Sequence, residues 1–143
     1  MNNNLNIANI LNVRYLYLLN AAVALILALG LLLVTPTMLD IFGISDSADT
    51  RLLVQLTGVE LVAGGLVSLL ANDVKEGKVR SALNYAYLSA NGLGFVIALN
   101  GTFTGVLNPM GFLLVGICAL LAIGFAYFQF FKPVMPAVRR ATP

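Results

Sequence analysis

Ala24-Leu25-Ile26-Leu27-Ala28-Leu29 is an unbroken apolar run with no polar residue at alternate positions. A strand of a membrane barrel alternates polar and apolar side chains over about ten positions, so this run reads as helix. It lies inside a longer apolar stretch from Tyr15 to Val34. About 20 residues at ~1.5 Å rise make ~30 Å of helix, the thickness of a bilayer's hydrocarbon core. Moving outward, stretches of the same length occur at Leu52 to Ala71, Ala82 to Asn100 and Gly111 to Phe131. The expectation is an all-α polytopic membrane protein, a single four-helix transmembrane bundle over 1–143 with helices at about 15–34, 52–71, 82–100 and 111–131. Arg14 makes a minimal signal-peptide n-region, but the apolar core that follows is longer than a typical h-region, so the first segment is expected to be retained as a helix.

Composition agrees. Of 143 residues, 59% are hydrophobic and 10% charged, and the mean hydropathy is +0.92. A soluble domain carries roughly a quarter charged residues, and one of this length has no interior large enough for so many apolar side chains. The chain contains no His and one cysteine, Cys118. That removes the commonest general base and zinc ligand, and it excludes an intramolecular disulfide; no metal site is expected. Cys118, among apolar neighbours, is expected to be inert. The net charge is +2, with no basic run beyond Arg139-Arg140, so nucleic acid is not an expected partner.

The charges set an orientation. Arg14 precedes the first helix, Lys75, Lys78 and Arg80 lie between the second and third, and Lys132, Arg139 and Arg140 follow the fourth. Asp40, Asp46 and Asp49 with Arg51 occupy the first outer connection, and 101–110 carries no charge. The positive-inside rule therefore puts both termini in the cytoplasm. Thr35-Pro36-Thr37 is expected to stop helix 1, and Met38 to Ile44 to form a short interfacial helical turn, with a lid over a cavity as the alternative. Arg51 is expected to anchor to a lipid headgroup, with Asp46 or Asp49 as alternative partners. Tyr15, Tyr17, Tyr85, Tyr87, Tyr127, Phe128, Phe130 and Phe131 read as an aromatic belt at the cytoplasmic side. The Asn-rich start, Asn2 to Asn12, is expected along the inner surface.

At ~100° per residue, Thr57, Glu60, Gly64 and Ser68 share one arc of helix 2. Helix 3 aligns Asn84, Tyr87, Asn91, Gly94 and Ala98; helix 1 aligns Tyr17, Asn20, Ala21, Ala24 and Ala28; helix 4 aligns Gly111, Cys118, Ala122 and Gln129. Small residues permit close backbone approach in lipid, so Gly64, Ser68, Gly94 and Ala122 are expected packing positions. Glu60 falls near the bilayer midplane, where an acid costs on the order of 2.5 to 3.5 kcal/mol. Antiparallel helix 3 brings Asn91 to the same depth. Glu60 and Asn91 are expected to hydrogen-bond or to line one small cavity, with Asn84 and Asn20 completing an intramembrane polar site. Such a group serves either as interhelical glue or as a proton or cation site.

The pattern Gly30 to Val34, then Pro36-Thr37-Met38-Leu39-Asp40-Ile41-Phe42-Gly43, then Arg51-Leu52-Leu53 opening a Gly-rich helix, resembles the DoxX-like group of small bacterial four-helix membrane proteins. The resemblance covers most of the chain and implies a fold and a bacterial inner-membrane location. It carries over no catalytic residue. The quinone or thiosulfate chemistry linked to some relatives is not transferred, because the chain has neither a cysteine pair nor His.

Three functions compete. A non-enzymatic accessory or assembly subunit would associate with protein partners, or with itself, within the bilayer; bound lipid or pigment would fit grooves at such a contact, although no motif indicates a cofactor. A small proton-coupled transporter or channel would use Glu60. A membrane enzyme ranks last for want of an acid/base pair.

Overall fold

The computed structural model describes residues 13–74 and 77–131. The helices are α1 (Val13–Leu33), α2 (Thr35–Phe42), α3 (Ala48–Ala71), α4 (Gly77–Phe103) and α5 (Gly111–Ala126), the last continued by a π-helical turn, Tyr127–Phe131. No strand occurs among the described residues. Four helices are long and apolar enough to cross a membrane, which makes this an integral membrane helical protein. The Asn-rich start and the basic residues Lys75, Lys132, Arg139 and Arg140 lie outside the described residues.

Hydropathy locates the spans, but the helices run past them. Helix α3 begins at Ala48 because the Ser47 hydroxyl accepts from the Thr50 amide at 3.2 Å, satisfying a donor that the first turn leaves open. Helix α4 extends from Gly77 to Phe103, beyond the apolar window at both ends. Helical hydrogen bonds do not end where lipid does; capping decides the terminus.

The bundle is two antiparallel pairs. Helix α1 lies along α3 and α4 along α5, whereas α3 and α4, although consecutive, make little close backbone approach. Lipid supplies no hydrophobic force between helices, so contact depends on how near the backbones can come. The α1/α3 seam uses Gly58 against Leu32 and Gly65 against Leu25; a Cβ at Gly65 would lie 2.8 Å from Leu25 Cγ. The expected packing glycine on this helix, Gly64, is not one of them: a Cβ there meets nothing within 4 Å. Its neighbour Gly65 faces α1 instead, a rotation of one residue about the α3 axis. Gly94 does pack, its Cβ position lying 3.2 Å from Cys118 Sγ across α4/α5. Ala122 is half-buried between buried Leu121 and Phe125.

The end of the bundle opposite Arg14 is held by α2. The chain does not stop at Thr35-Pro36-Thr37 but restarts there. Thr35 Oγ1 bonds the Leu31 carbonyl at 2.5 Å, and Pro36 occupies the first turn of α2, where its missing N–H is harmless. Gly43 ends α2 in the left-handed region, φ 71°, a conformation costly for other residues. Leu39 and Phe42 are buried. Asn108, from the α4–α5 connection, donates its amide N–H to the Phe42 carbonyl and its Nδ2 to the Ile41 carbonyl, each at 2.9 Å. Helix α2 is thus a latch between the two connections at that end. Arg51 binds Asp46 through both Nε and Nη2 at 2.5 Å rather than standing free as a headgroup anchor, because the Ser47 cap folds Asp46 back over the first turn of α3. The guanidinium holds the Asp46 carboxyl below its ordinary pKa.

Candidate functional site

The half of the bundle at the Arg14 and Arg80 end is closed. Tyr17, 0% exposed, and Phe125, 0% exposed, meet buried Tyr87, Val13 and Ala71 in one cluster drawn from all four long helices. Tyr87 stacks on Phe125 with ring centroids 5.3 Å apart, and Tyr17 meets Tyr87 edge-on at 5.9 Å. Tyr17 and Tyr87 therefore belong to the core and not to the expected belt; Tyr15, Tyr85, Tyr127, Phe130 and Phe131 remain exposed. The difference is helical phase: Tyr15 and Tyr17 are two positions apart, about 200° around the helix.

At this level the Tyr17, Asn84, Ser68 and Tyr87 side chains each have a partner, while the buried Arg80 Nε has none among the described residues. The Tyr17 hydroxyl donates to Asn84 Oδ1 at 2.5 Å. The Ser68 hydroxyl donates to the Tyr17 carbonyl at 2.9 Å and accepts from Asn20 Nδ2 at 3.1 Å. The Tyr87 hydroxyl donates to the Gly64 carbonyl at 2.9 Å. Bonds of this kind join helices because, in lipid, an unpaired donor finds no water to replace its partner. At this end of the bundle, Arg14 Nε donates to Asn72 Oδ1 at 2.7 Å and Arg14 Nη2 lies 3.6 Å from Asp73 Oδ1, clasping the start of α1 to the end of α3. Gln129 Nε2 donates to Ser81 Oγ at 2.9 Å, fastening the end of α5 to α4.

Above this floor the pairs separate around a cavity of about 330 Å³. Helix α1 lines it with Asn20, Val23, Ala24 and Leu27, and α3 with Thr57, Glu60, Leu61 and Gly64. The opposite wall is Tyr87, Ala90, Asn91 and Gly94 of α4 with Leu114, Ile117, Cys118 and Leu121 of α5. Pockets that hold small molecules have volumes of ~300 to 1,000 Å³, mostly apolar walls and a few convergent polar groups, and this one has that character.

The expected polar site is divided by the structure. Asn20, Asn91 and Glu60 share the cavity; Asn84 does not line it and serves the closed cluster. Of the two arrangements expected for Glu60 and Asn91, the shared cavity is the one observed. Asn91 Nδ2 donates to Asn20 Oδ1 at 3.2 Å and to the Tyr87 carbonyl at 2.9 Å, so its donor is engaged by α1 and by its own helix. The Glu60 side chain is exposed, and no hydrogen bond or ion pair reaches it from the described residues. Ser68 lies below the cavity as a hydrogen-bond junction. Helix α2 contributes no residue to the lining, which leaves the lid alternative without a contact.

The aliphatic lining, Val23, Leu27, Leu114 and Ile117, was not legible in the sequence. In helices that are apolar all round, a leucine facing a hollow and one facing lipid carry the same signal. Among the described residues no cluster of three His, Cys, Asp or Glu that would hold a metal occurs. Comparison of the chain with family models, with curated proteins and with solved structures returned no match.

Proposed function

We propose that this chain is a non-enzymatic accessory subunit of a larger membrane complex that holds a small lipophilic molecule between its helix pairs. The observation carrying this reading is the cavity itself, formed by residues from all four membrane-length helices. Its lining includes one carboxylate, a bonded amide pair and no Lys, Arg or His, a set suited to orienting a bound molecule more than to transforming it. The broad apolar exterior supports association with lipid and with other helices in the bilayer. The positive-inside rule supports placing the Arg14 and Arg80 end, and both termini, in the cytoplasm.

The likeness to the DoxX-like group is part of the same proposal. Its residues now have structural tasks: Pro36 opens α2, Phe42 and Gly43 make the latch to Asn108, and Arg51 clasps Asp46. Such a pattern marks a fold device and not a reaction.

Native mass spectrometry of protein extracted into lipid nanodiscs tests the reading. Partner chains and a noncovalent small-molecule adduct are the expected result. A bare chain with an empty cavity overturns it. The second reading, a proton-coupled transporter, is favoured by one feature, the position of Glu60 on the cavity wall. Under that reading Glu60→Gln abolishes proton-coupled flux in liposomes while the fold persists; unchanged flux removes it.

A further inference from the structure

The lining residues differ in exposure in a way that locates the mouth of the cavity. On α1 and α5 every lining residue is buried or half-buried. On α3 and α4, Thr57, Glu60 and Ala90 are exposed. These are the two consecutive helices that approach each other least. The opening therefore faces sideways, into the hydrocarbon layer, at the depth of Glu60 near the middle of α3. An acid at that depth carries a large desolvation penalty unless something pairs with it, and no described residue does.

We propose that this mouth admits single-chain amphiphiles bearing an ammonium head from the bilayer, with Glu60 binding the head and the apolar hollow taking the chain. The proposal rests on the ligand-holding reading above and adds its route and chemical class. Charge complementarity selects the class. The lining offers a carboxylate and no cation, so a carboxylate or phosphate head would meet like charge, whereas an ammonium provides the donors that Glu60 lacks. The amide pair is bonded through Asn91 Nδ2, which leaves Asn91 Oδ1 as a neutral acceptor on the wall and Glu60 as the charged one.

Cys118, expected to be inert among apolar neighbours, is instead half-buried on the cavity wall and open to a small reagent that enters the hollow; as the single cysteine of the chain it provides the readout. Purified protein in phosphatidylcholine nanodiscs would be treated with methyl methanethiosulfonate, a small membrane-permeant thiol reagent, and modification followed by intact mass. Dodecylamine is expected to protect Cys118 at lower concentration than dodecanol, and dodecanoate least. Glu60→Gln should raise the half-protecting concentration of dodecylamine roughly 30-fold, the loss of one partner from a desolvated charge pair, and leave dodecanol unchanged. Ala90→Trp, or Ala90→Leu if the larger residue disturbs folding, should slow modification by narrowing the mouth; an unchanged rate rejects the lateral opening. Equal protection by dodecylamine and dodecanol, indifferent to Glu60→Gln, overturns the ammonium assignment and leaves lipophile binding standing. No protection by any of the three overturns both. Cys118 shielded in native membranes by a crosslinkable protein, with dodecylamine unable to compete, replaces the amphiphile with a partner helix and also overturns the proposal.

Discussion

The level of the bundle nearest Arg14 and the middle level are built from the same kinds of residue and arrive at opposite ends. At the level nearest Arg14, Tyr17, Asn84, Ser68 and Tyr87 bond across helices, and aromatic rings fill the space between them. One to two turns further along each helix, Asn20 and Asn91 still bond to each other, but smaller side chains face the interior, and a 330 Å³ hollow with an unengaged acid remains. A polar residue in a membrane helix is thus not a site by virtue of its type. It is glue where its hydrogen-bonding capacity is filled and a candidate site where it is not.

Six variants test that contrast. The largest effect is expected for Phe125→Ala, which removes the ring on which Tyr17 and Tyr87 pack; a loss of ~3 to 5 kcal/mol, read by steric trapping in bicelles, is in line with truncating a fully buried aromatic. A loss below that of a surface substitution would mean the level nearest Arg14 is not the core. Gly65→Ala comes next, at ~1 to 3 kcal/mol, since its Cβ would collide with Leu25. Gly64→Ala, one residue along, should be neutral or slightly stabilising in the same assay because nothing stands within 4 Å.

Asn84→Leu should cost ~0.6 to 2 kcal/mol by leaving the Tyr17 hydroxyl with only the longer, 3.4 Å contact to the Arg80 carbonyl. Glu60→Gln should change stability by less than about 0.5 kcal/mol, having no partner within the described chain to lose. If the two variants were equally destabilising, the distinction between filled and unfilled polar groups would fail. The smallest effect belongs to the end opposite Arg14, where Asp46→Asn should remove a pH dependence. The folded carboxyl titrates below its ordinary value, so its contribution is present above the unfolded pKa and disappears as pH falls through the folded one. Thermal melts of the wild type between about pH 6 and pH 2 should show that decline, and the variant should not. Superimposable profiles would show that the pair is too exposed to matter.

Much of the architecture was legible because lipid is an exacting solvent. Four spans follow from unbroken apolar length, and the inward stripes of α1 and α4 follow from helical period: Tyr17, Asn20, Ala21 and Ala28, then Asn84, Tyr87 and Ala98, are all buried. On α5 the stripe named buried Gly111 and half-buried Cys118, Ala122 and Gln129 but left out buried Val115, Leu121 and Phe125. On α3 the arc of Thr57, Glu60, Gly64 and Ser68 does face the interior, the first three on the cavity and Ser68 buried, but the arc left out Gly58 and Gly65, which make the contact with α1. Two glycines carry little hydropathy signal, and close approach is a property of the facing helix as much as of the glycine. Of the partners expected for Arg51, Asp46 is the one observed, because the turn made by Ser47 brings it within reach.

By itself the sequence determined that the chain is helical, that it crosses a membrane with four segments, and that one acid lies at mid-depth in the second of them. Length, period and the cost of a charge in hydrocarbon are properties of one segment at a time. Only the tertiary structure decided that α3 pairs with α1 and leaves its chain neighbour α4 at a distance, that Asn91 turns to Asn20 and not to Glu60, and that Glu60 stands at a sideways opening. Those outcomes depend on how side-chain volumes from four helices fill a common space, and no single helix contains that information.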